Sequence, residues 1–124
     1  MKNEGIVFIG ADHAGFEIKE KLRKYLTKEG VMVEDLSIYY DKNDDYPAYA
    51  FKVGEAVIGS RGAKGILVCG TGNGMAIAAN KVKGIRAAVA YDENSAKMSR
   101  EHNDSNVLGL GAREIGFEKI KKIV

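Results

Sequence analysis

The segment from Cys69 to Met75 combines an ionisable sulfur with a glycine-rich loop. Its sequence, Cys-Gly-Thr-Gly-Asn-Gly-Met, follows a run of apolar β-forming residues and precedes a helical pattern. Glycines let a small anion approach backbone N–H groups, and the positive end of a helix dipole favours an anion at the same place. A cysteine beside a helix amino terminus can lose its proton and act as a base or a nucleophile. The segment therefore predicts acid–base or nucleophilic chemistry, while a buried cysteine that only fills space is an equally common use of such a position.

This loop departs from three known phosphate or nucleotide motifs. Cysteine phosphatases place an arginine six positions after the cysteine, where Met75 stands, so covalent phosphoryl transfer is disfavoured. A P-loop requires Gly-Lys-Ser/Thr before its helix, and the chain has none. The dinucleotide fingerprint requires Gly-x-Gly-x-x-Gly, whereas the spacing here is Gly70-x-Gly72-x-Gly74; Asp92, about 20 residues downstream, does resemble its ribose-binding acid. A dinucleotide-binding module therefore stays open as a weaker alternative, and a purely structural tight turn is a stronger one.

Other side chains with useful chemistry follow predicted strands or lie at helix ends. Each also has an ordinary structural use: an aspartate caps a helix, a histidine at a helix carboxyl end complements the dipole, and an arginine forms a surface ion pair. Two histidines and one cysteine give no zinc-type ligand spacing, so no metal is expected. The candidates are Asp12, His13, Tyr46, His102, Asn103 and Arg113.

The whole-chain composition fits one domain spanning residues 1–124, with 45% apolar residues to fill a core. Nineteen basic and 17 acidic residues give a formal charge of +2, which predicts neither nucleic-acid nor membrane binding. The single cysteine cannot form an internal disulfide, so a cytoplasmic location is expected. The apolar run Ile6–Ile9 is too short for a signal-peptide core, and no run approaches membrane-spanning length.

Short β-branched runs alternate with helical patterns from end to end, which predicts an α/β fold with a doubly wound parallel sheet covered on both faces. Ligands of such sheets bind at the carboxyl ends of the strands. The predicted strands are Ile6–Ile9, Val31–Leu36, Gly65–Cys69, Ile85–Ala90 and Val107–Leu110. Helices are predicted from Phe16 to before Gly30, from Pro47 to Ile58, from Met75 to Val82, from Glu93 to Glu101 with Asp92 as N-cap, and from near Ile115. The segments at the carboxyl edge are then Ala11–Gly15, Ser37–Tyr46 with Asp41, Asp44 and Asp45, Gly70–Gly74, Tyr91–Asp92 and Gly111–Arg113.

Six motifs occur in order along nearly the whole chain, from Ile6 to Gly116. Together they closely resemble the ribose-5-phosphate isomerase B family, within the wider RpiB/LacA/LacB sugar-phosphate isomerases. One motif alone would be weakly specific, but six in register are strong. The matching segments are Ala11–Phe16, Asp45–Pro47, Cys69–Met75, Ala78–Lys81, Ser99–Asp104 and Leu110–Arg113.

The resemblance implies a Rossmann-like three-layer α/β/α sandwich with a five-stranded parallel sheet, and interconversion of ribose 5-phosphate and ribulose 5-phosphate in the pentose phosphate pathway. It also implies a homodimer or homotetramer whose active site is shared between subunits, with no metal or cofactor. Cys69 matches the general base that forms an enediolate, and His102 matches the residue for ring opening. Thr71 and the loop N–H groups would hold the developing oxyanion. Substrate contacts are implied for Asp12, His13, Tyr46, Gly70, Thr71, Gly72, Asn73, Gly74, Asn103 and Arg113, the last from the neighbouring subunit.

The chain departs from the family pattern at its carboxyl end. The family continues with a fuller helix and a tail carrying two more basic residues, whereas this sequence ends at Val124 with no arginine after Arg113. The lysines Lys119, Lys121 and Lys122 are partial substitutes, because lysine lacks the bidentate fork of arginine. This departure keeps open a sugar-phosphate-binding protein with impaired catalysis. An isomerase of a hexose 6-phosphate also stays open, because relatives acting on hexose 6-phosphates are similar over much of the same scaffold.

Overall fold

Five strands and five helices alternate in the computed structural model, which describes residues 5–37, 46–113 and 115–124. The acidic segment with Asp41, Asp44 and Asp45 lies outside these residues. The strands are β1 (Val7–Ala11), β2 (Val33–Asp35), β3 (Lys64–Cys69), β4 (Ala87–Val89) and β5 (Val107–Gly111). The helices are α1 (Phe16–Lys28), α2 (Tyr46–Gly59), α3 (Asn73–Ala79), α4 (Glu93–Asn103) and α5 (Phe117–Ile123).

The strands form one parallel sheet in the order β2-β1-β3-β5-β4. After β1 the chain adds β2 on one side of β1, and it then adds β3 on the other side. The direction in which strands are added therefore reverses between β1 and β3. At such a switch point the loops after neighbouring strands diverge and leave a crevice at the carboxyl edge. The register places Cys69 of β3 opposite Gly111 of β5. The predicted doubly wound parallel sheet of five strands is confirmed.

Helices cover both faces of the sheet, because alternate strand residues point to opposite sides. On one face Leu22 and Leu26 of α1 and Ile120 of α5 are buried against Ile66 and Val68 of β3. On the other face the buried residues come from α2, α3 and the sheet: Val53, Met75, Ala79, Leu67 and Cys69. The three-layer α/β/α sandwich is therefore confirmed, and the cysteine faces the α2/α3 layer. Over the residues described, no helix is long and apolar enough to cross a bilayer.

Element boundaries differ from the sequence prediction mainly at the two edge strands. Each edge strand pairs with a single neighbour over only three residues, so β2 and β4 are shorter than predicted. Val31 and Ile85, which the apolar pattern placed in strands, are buried in the core without belonging to a strand. Helix α3 begins at Asn73 and ends at Ala79, two and three residues earlier than predicted.

Candidate active site

Cys69 is the last residue of the central strand β3 and lies at the carboxyl edge of the sheet. Its side chain is only 6% exposed. The sulfur accepts a hydrogen bond from the backbone N–H of Gly72 at 3.0 Å. A charged acceptor forms a stronger hydrogen bond than a neutral one, so this N–H provides a donor for the thiolate form. Cys69 is thus a buried thiol whose sulfur is held by the loop that follows it.

The glycine loop uses part of its own hydrogen-bonding capacity internally. Gly72 has φ +88°, in the left-handed region that favours glycine, and it precedes the first turn of α3. Besides the bond from Gly72 to the sulfur, the N–H of Asn73 donates to Oγ1 of Thr71 at 3.2 Å. The sequence analysis assigned the loop N–H groups in general to an incoming anion, and the structure gives two of them, those of Gly72 and Asn73, a partner within the loop. Thr71 is exposed, and its hydroxyl keeps a proton to donate while its oxygen accepts from Asn73.

Arg113 lies beside the glycine loop of its own chain. Its backbone N–H donates to the carbonyl of Gly70 at 2.9 Å, and Ala112 N–H donates to the carbonyl of Cys69 at 2.6 Å. A Cβ on Gly70 would be 3.1 Å from Nη1 of Arg113, so the guanidinium covers the position where a side chain would be. The resemblance implied that this arginine comes from a neighbouring subunit. The structure places Arg113 beside the loop of its own chain. A contribution of this arginine to the site of a neighbouring subunit stays a prediction.

The loop after β1 is pressed against β3 on the other side of Cys69. A Cβ on Gly15 would be 2.2 Å from the carbonyl oxygen of Val68, and Asp12 N–H donates to that same oxygen at 3.3 Å. Asp12 is buried, and its Oδ1 accepts from Gly15 N–H at 3.1 Å, which closes the turn before α1. His13 is exposed. Both candidates therefore lie at the same edge as the cysteine, and one oxygen of Asp12 has the structural use that the sequence also allowed.

His102 and Asn103 lie at the opposite end of the sheet from Cys69 of the same chain. Helix α4 starts at the carboxyl end of β4 and runs back for 11 residues, about 16 Å, before the chain enters β5. Asp104 follows it directly and forms a 3.0 Å ion pair with Arg86, the residue before β4. The end of α4 is thereby fixed at the amino edge. Within one chain, the structure does not bring the two residues to the sulfur.

Tyr46 and Asp92 complete the sequence-predicted set. Tyr46 begins α2, and its side chain lies outside the described residues. Asp92 caps α4: its Oδ1 accepts from Ser95 N–H at 2.7 Å, and Asp92 N–H donates to Ser95 Oγ at 3.1 Å. The pKa of Asp92 is lowered mainly by the hydrogen bond from the Ser95 backbone and then by the one from the Ser95 hydroxyl.

The strand order disfavours the dinucleotide-binding alternative. In the dinucleotide fold, the strand that carries the ribose-binding acid pairs directly with the strand that precedes the glycine loop. Here β5 lies between β3, which precedes the glycine loop, and β4, which precedes Asp92.

A cavity of about 540 Å³ lies at the amino edge of the sheet, away from the glycine loop. Its lining includes Lys64 and Val107, at the amino ends of β3 and β5, together with Ser105 and Val124. The cavity and the hydrogen-bonded Cys69 thiol therefore lie at opposite edges of the sheet. No group of three or more His, Cys, Asp or Glu side chains able to hold a metal ion occurs in the described ranges 5–37, 46–113 and 115–124.

The family model described as Ribose/Galactose Isomerase matches residues 7–124. The chain belongs to this family. By reaction type it is an aldose–ketose isomerase, an intramolecular oxidoreductase.

Individual relatives agree with this membership. The chain is 47% identical over 118 residues to ribose-5-phosphate isomerase B of Escherichia coli, covering 95% of this chain and 79% of the relative. It is 44% identical over 121 residues to D-erythrulose-4-phosphate isomerase of Pectobacterium atrosepticum, covering 95% and 78%. The structure of ribose-5-phosphate isomerase B from Mycoplasma genitalium with bound ribulose-5-phosphate superposes with a TM-score of 0.90 at 42% identity, covering 95% of this chain and 79% of that one.

One buried group of this ribose/galactose isomerase family member was missed by the sequence analysis. Lys19 of α1 is fully buried, and its Nζ contacts Glu20, Asp35 and the carbonyl of Ser37 at 2.7, 2.7 and 2.9 Å. The available signal was its position three residues before Leu22, in the apolar stripe of an otherwise amphipathic helix. A lysine at such a position indicates a buried partner for its charge.

Proposed function

We propose that this chain interconverts D-ribose 5-phosphate and D-ribulose 5-phosphate, a step of the pentose phosphate pathway, with Cys69 as the general base. The observation that carries the proposal is the Cys69 sulfur held by Gly72 N–H at the carboxyl edge, beside Arg113. Family membership supplies the reaction type, and the relatives named for ribose 5-phosphate isomerisation make the pentose phosphate the leading substrate.

The proposed chemistry is a proton transfer between C1 and C2 of the open-chain sugar. The Cys69 thiolate removes the proton from C2 of the aldose, and the C–H electron pair forms a C1=C2 double bond while negative charge moves to O1. O1 gains a proton, O2 loses one as C2=O forms, and the thiol returns its proton to C1. The Thr71 hydroxyl, with loop N–H groups other than those of Gly72 and Asn73, would hold the enediolate oxygen, an interaction often worth about 2.7–4 kcal/mol per donor.

The phosphate end of the substrate is assigned to Arg113 and His13. Arginine presents a planar fork of donors that matches two phosphate oxygens, so it fixes orientation as well as charge. Arg113 is exposed above Gly70, and the loop carrying His13 is held against β3 on the other side of the sulfur. In this arrangement Arg113 and His13 bind the phosphate at C5, and the carbon chain of the sugar extends from there to bring C1 and C2 to the Cys69 sulfur.

Ring opening by His102, with Asn103 as a substrate contact, requires a second copy of the chain. Both residues lie at the amino edge of their own sheet, while Cys69 lies at the carboxyl edge. A symmetric dimer that joins the amino edge of one subunit to the carboxyl edge of its partner would assemble two equivalent complete sites. The proposal is therefore a shared site, which the separation of these residues within one chain favours.

The test of Cys69 follows ribulose 5-phosphate formation from ribose 5-phosphate, with deuterium uptake at C1 of the product in heavy water. Cys69→Ala is expected to lower kcat by about 10²–10⁴-fold, the usual contribution of a positioned acid–base group. Cys69→Ser is the matched control: it keeps an oxygen near the Gly72 N–H but is a far weaker base, so it too is expected to be impaired. Undiminished turnover in Cys69→Ala would remove the sulfur from the mechanism.

The shared site has a separate test that uses two pairs of differently tagged subunits. Mixed dimers of Cys69→Ala and His102→Ala subunits contain one intact shared site, so about half of wild-type activity is expected from the symmetry of a two-site dimer. Mixed dimers of wild type with the double variant Cys69→Ala/His102→Ala contain none. If each chain builds its own site, the first pair is inactive and the second is half active.

Two other activities are distinguished by a panel of substrates. The similarity to a D-erythrulose-4-phosphate isomerase favours tests with a four-carbon sugar phosphate beside ribose 5-phosphate and hexose 6-phosphates. The largest kcat/KM is expected for ribose 5-phosphate. Binding of ribose 5-phosphate by calorimetry, with no conversion of any sugar in the panel, would instead identify a sugar-phosphate-binding protein.

A further inference from the structure

Lys19 is a buried cation whose partners lie on α1 and at the carboxyl end of β2, next to the loop after β1. Its Nζ lies 2.7 Å from Oδ2 of Asp35, at the end of β2, and 2.9 Å from the carbonyl of Ser37. It also lies 2.7 Å from Oε1 of Glu20 and 4.0 Å above the ring of Phe16. Three oxygen acceptors and an aromatic face therefore surround one ammonium group.

A chain of hydrogen bonds continues from this lysine to the loop after β1. The second carboxylate oxygen of Asp35, Oδ1, accepts from Ser37 N–H at 2.9 Å. Ser37 is 3% exposed, and its Oγ accepts from the N–H of Ala11 at 2.9 Å. Ala11 is the last residue of β1 and immediately precedes Asp12, so the side chains of Asp35 and Ser37 connect Lys19 to the start of the site loop.

Stability alone gives little reason for this arrangement. Burying an ammonium group is expensive even when it is paired, and an apolar side chain of similar volume often serves stability as well or better. A charged cluster instead holds its acceptors in fixed positions, because each acceptor must lie within hydrogen-bond distance of the ammonium group. Here the cluster holds the backbone of Ser37, and thereby orients the Ser37 hydroxyl oxygen toward the N–H of Ala11.

We infer that Lys19, Asp35 and Ser37 form a positioning assembly that sets the loop carrying Asp12 and His13 for sugar-phosphate binding. The inference rests on the proposed function, since it assigns the assembly to substrate binding by that loop. Lys19 contacts no substrate in this scheme and acts only through Ser37. Loss of the assembly is therefore expected to weaken substrate binding more than it slows the chemical step at Cys69.

Ser37→Ala tests the inference with the smallest perturbation, since it removes the acceptor of Ala11 N–H and keeps Lys19 paired with Asp35. The KM for ribose 5-phosphate is expected to rise roughly tenfold, a part of the 10²-fold that a 1 Å misplacement can produce, while kcat changes little. Partial unfolding would give the opposite pattern, because it lowers the amount of active enzyme and with it kcat, and leaves KM unchanged. Hydrogen exchange of the Ala11 and Asp12 amides, followed by NMR without substrate, is expected to accelerate.

Lys19→Met and Lys21→Met provide the comparison on α1. Both remove one ammonium from the same helix, but Lys21 is exposed and lies 4.0 Å from its partner Glu17. Lys21→Met is expected to leave KM and Ala11 exchange unchanged, whereas Lys19→Met raises KM. The double variant Lys19→Met/Ser37→Ala should raise KM less than the product of the single effects, because both changes act through one connection.

The possible results separate this inference from the proposed function. An unchanged KM in Ser37→Ala, in a protein whose wild type is active, overturns the assembly, as does unchanged exchange of the Ala11 amide. A wild-type protein that does not convert ribose 5-phosphate overturns the proposed function. In that case the exchange rates of Ala11 and Asp12 still decide whether Ser37 holds the loop.

Discussion

Gly15→Ala is the most direct test of how the fold positions the candidate site. The Cα of Gly15 lies so close to β3 that an added Cβ would be 2.2 Å from the carbonyl oxygen of Val68 and 2.8 Å from its Cγ1. Its φ is −100°, which any residue adopts, so the substitution acts through close approach rather than through the backbone angle. The contacted carbonyl belongs to the strand that ends at Cys69.

The size of the expected effect follows from these distances. Cβ atoms essentially never lie within 3.0 Å of a non-bonded heavy atom such as this oxygen, so the loop after β1 must move away from Val68 by at least about 0.8 Å. Overpacking of this kind typically costs about 1–3 kcal/mol of stability. The movement also carries Asp12 and His13 away from Cys69, and a misplacement near 1 Å can reduce activity by about 10²-fold. The variant is therefore expected to lose up to about 100-fold in kcat/KM for ribose 5-phosphate while it still folds.

The assay measures kcat/KM at a temperature well below the unfolding midpoint of the variant, so that loss of folded protein does not contribute. Gly59→Ala is the matched control, because a Cβ there meets no atom within 4 Å and alanine is the better helix residue at the end of α2. It is expected to keep the activity of the wild type and to have an equal or higher unfolding midpoint. If Gly15→Ala has the same kcat/KM and unfolding midpoint as Gly59→Ala, the close approach of the β1 loop to β3 does not position the site.

Three further substitutions test phosphate binding and the supports of the site. Arg113→Lys should raise KM for ribose 5-phosphate roughly tenfold because the fork is lost. Arg61→Lys is the unaffected control, because Arg61 is exposed between α2 and the amino end of β3, away from the site; equal KM values for the two variants would remove Arg113 from phosphate binding. Hydrogen bonds from Arg23 and then from Lys19 lower the pKa of Glu20, so its stabilisation is present at neutral pH and is lost as pH falls through that lowered value. Glu20→Gln should thus lower the stability at neutral pH by less than about 1 kcal/mol, measured as a lower thermal midpoint. The difference from the wild type should begin to shrink below the ordinary carboxylate pKa of 4.5 and vanish below the lowered pKa of Glu20; a pH-independent difference would contradict this. Asp92→Ala should lower the thermal midpoint and Asp92→Asn less so, because asparagine still accepts from the Ser95 backbone; identical midpoints would show that the cap contributes nothing.

The alternation of strands and helices is predictable from the sequence because it depends on local signals. The carboxyl end of β3 is marked by the change from apolar residues to glycines at Cys69, and the start of α4 by the capping residue Asp92. The lengths of β2 and β4 are not local. They depend on how many residues of a single neighbouring strand continue the ladder, which the apolar side chains of Val31 and Ile85 do not reveal.

The candidate site is only partly predictable for the same reason. Placing Cys69 and Asp12 at one edge needs only the rule that parallel strands end at the same side of the sheet. The location of His102 follows from the length and direction of α4, which returns the chain to the amino edge. The sequence motif that contains His102 gives no indication that its imidazole is remote from the sulfur of its own chain. That separation is a property of the folded subunit, and it is the reason the mixed-dimer experiment is informative.

The order of β3, β5 and β4 shows what the glycines contribute beyond access for an anion. Gly72 lies against β5, where a Cβ would be 3.0 Å from the carbonyl carbon of Leu110, and a Cβ on Gly109 would be 2.9 Å from the oxygen of Gly72. A Cβ on Gly111 would likewise be 2.6 Å from the oxygen of Thr71. Glycines in both the loop and the strand therefore let the loop that holds the Cys69 sulfur lie directly on β5. Because that contact exists only when β5 is the neighbour of β3, the strand order and the hydrogen bond from Gly72 to the sulfur are two consequences of the same close packing.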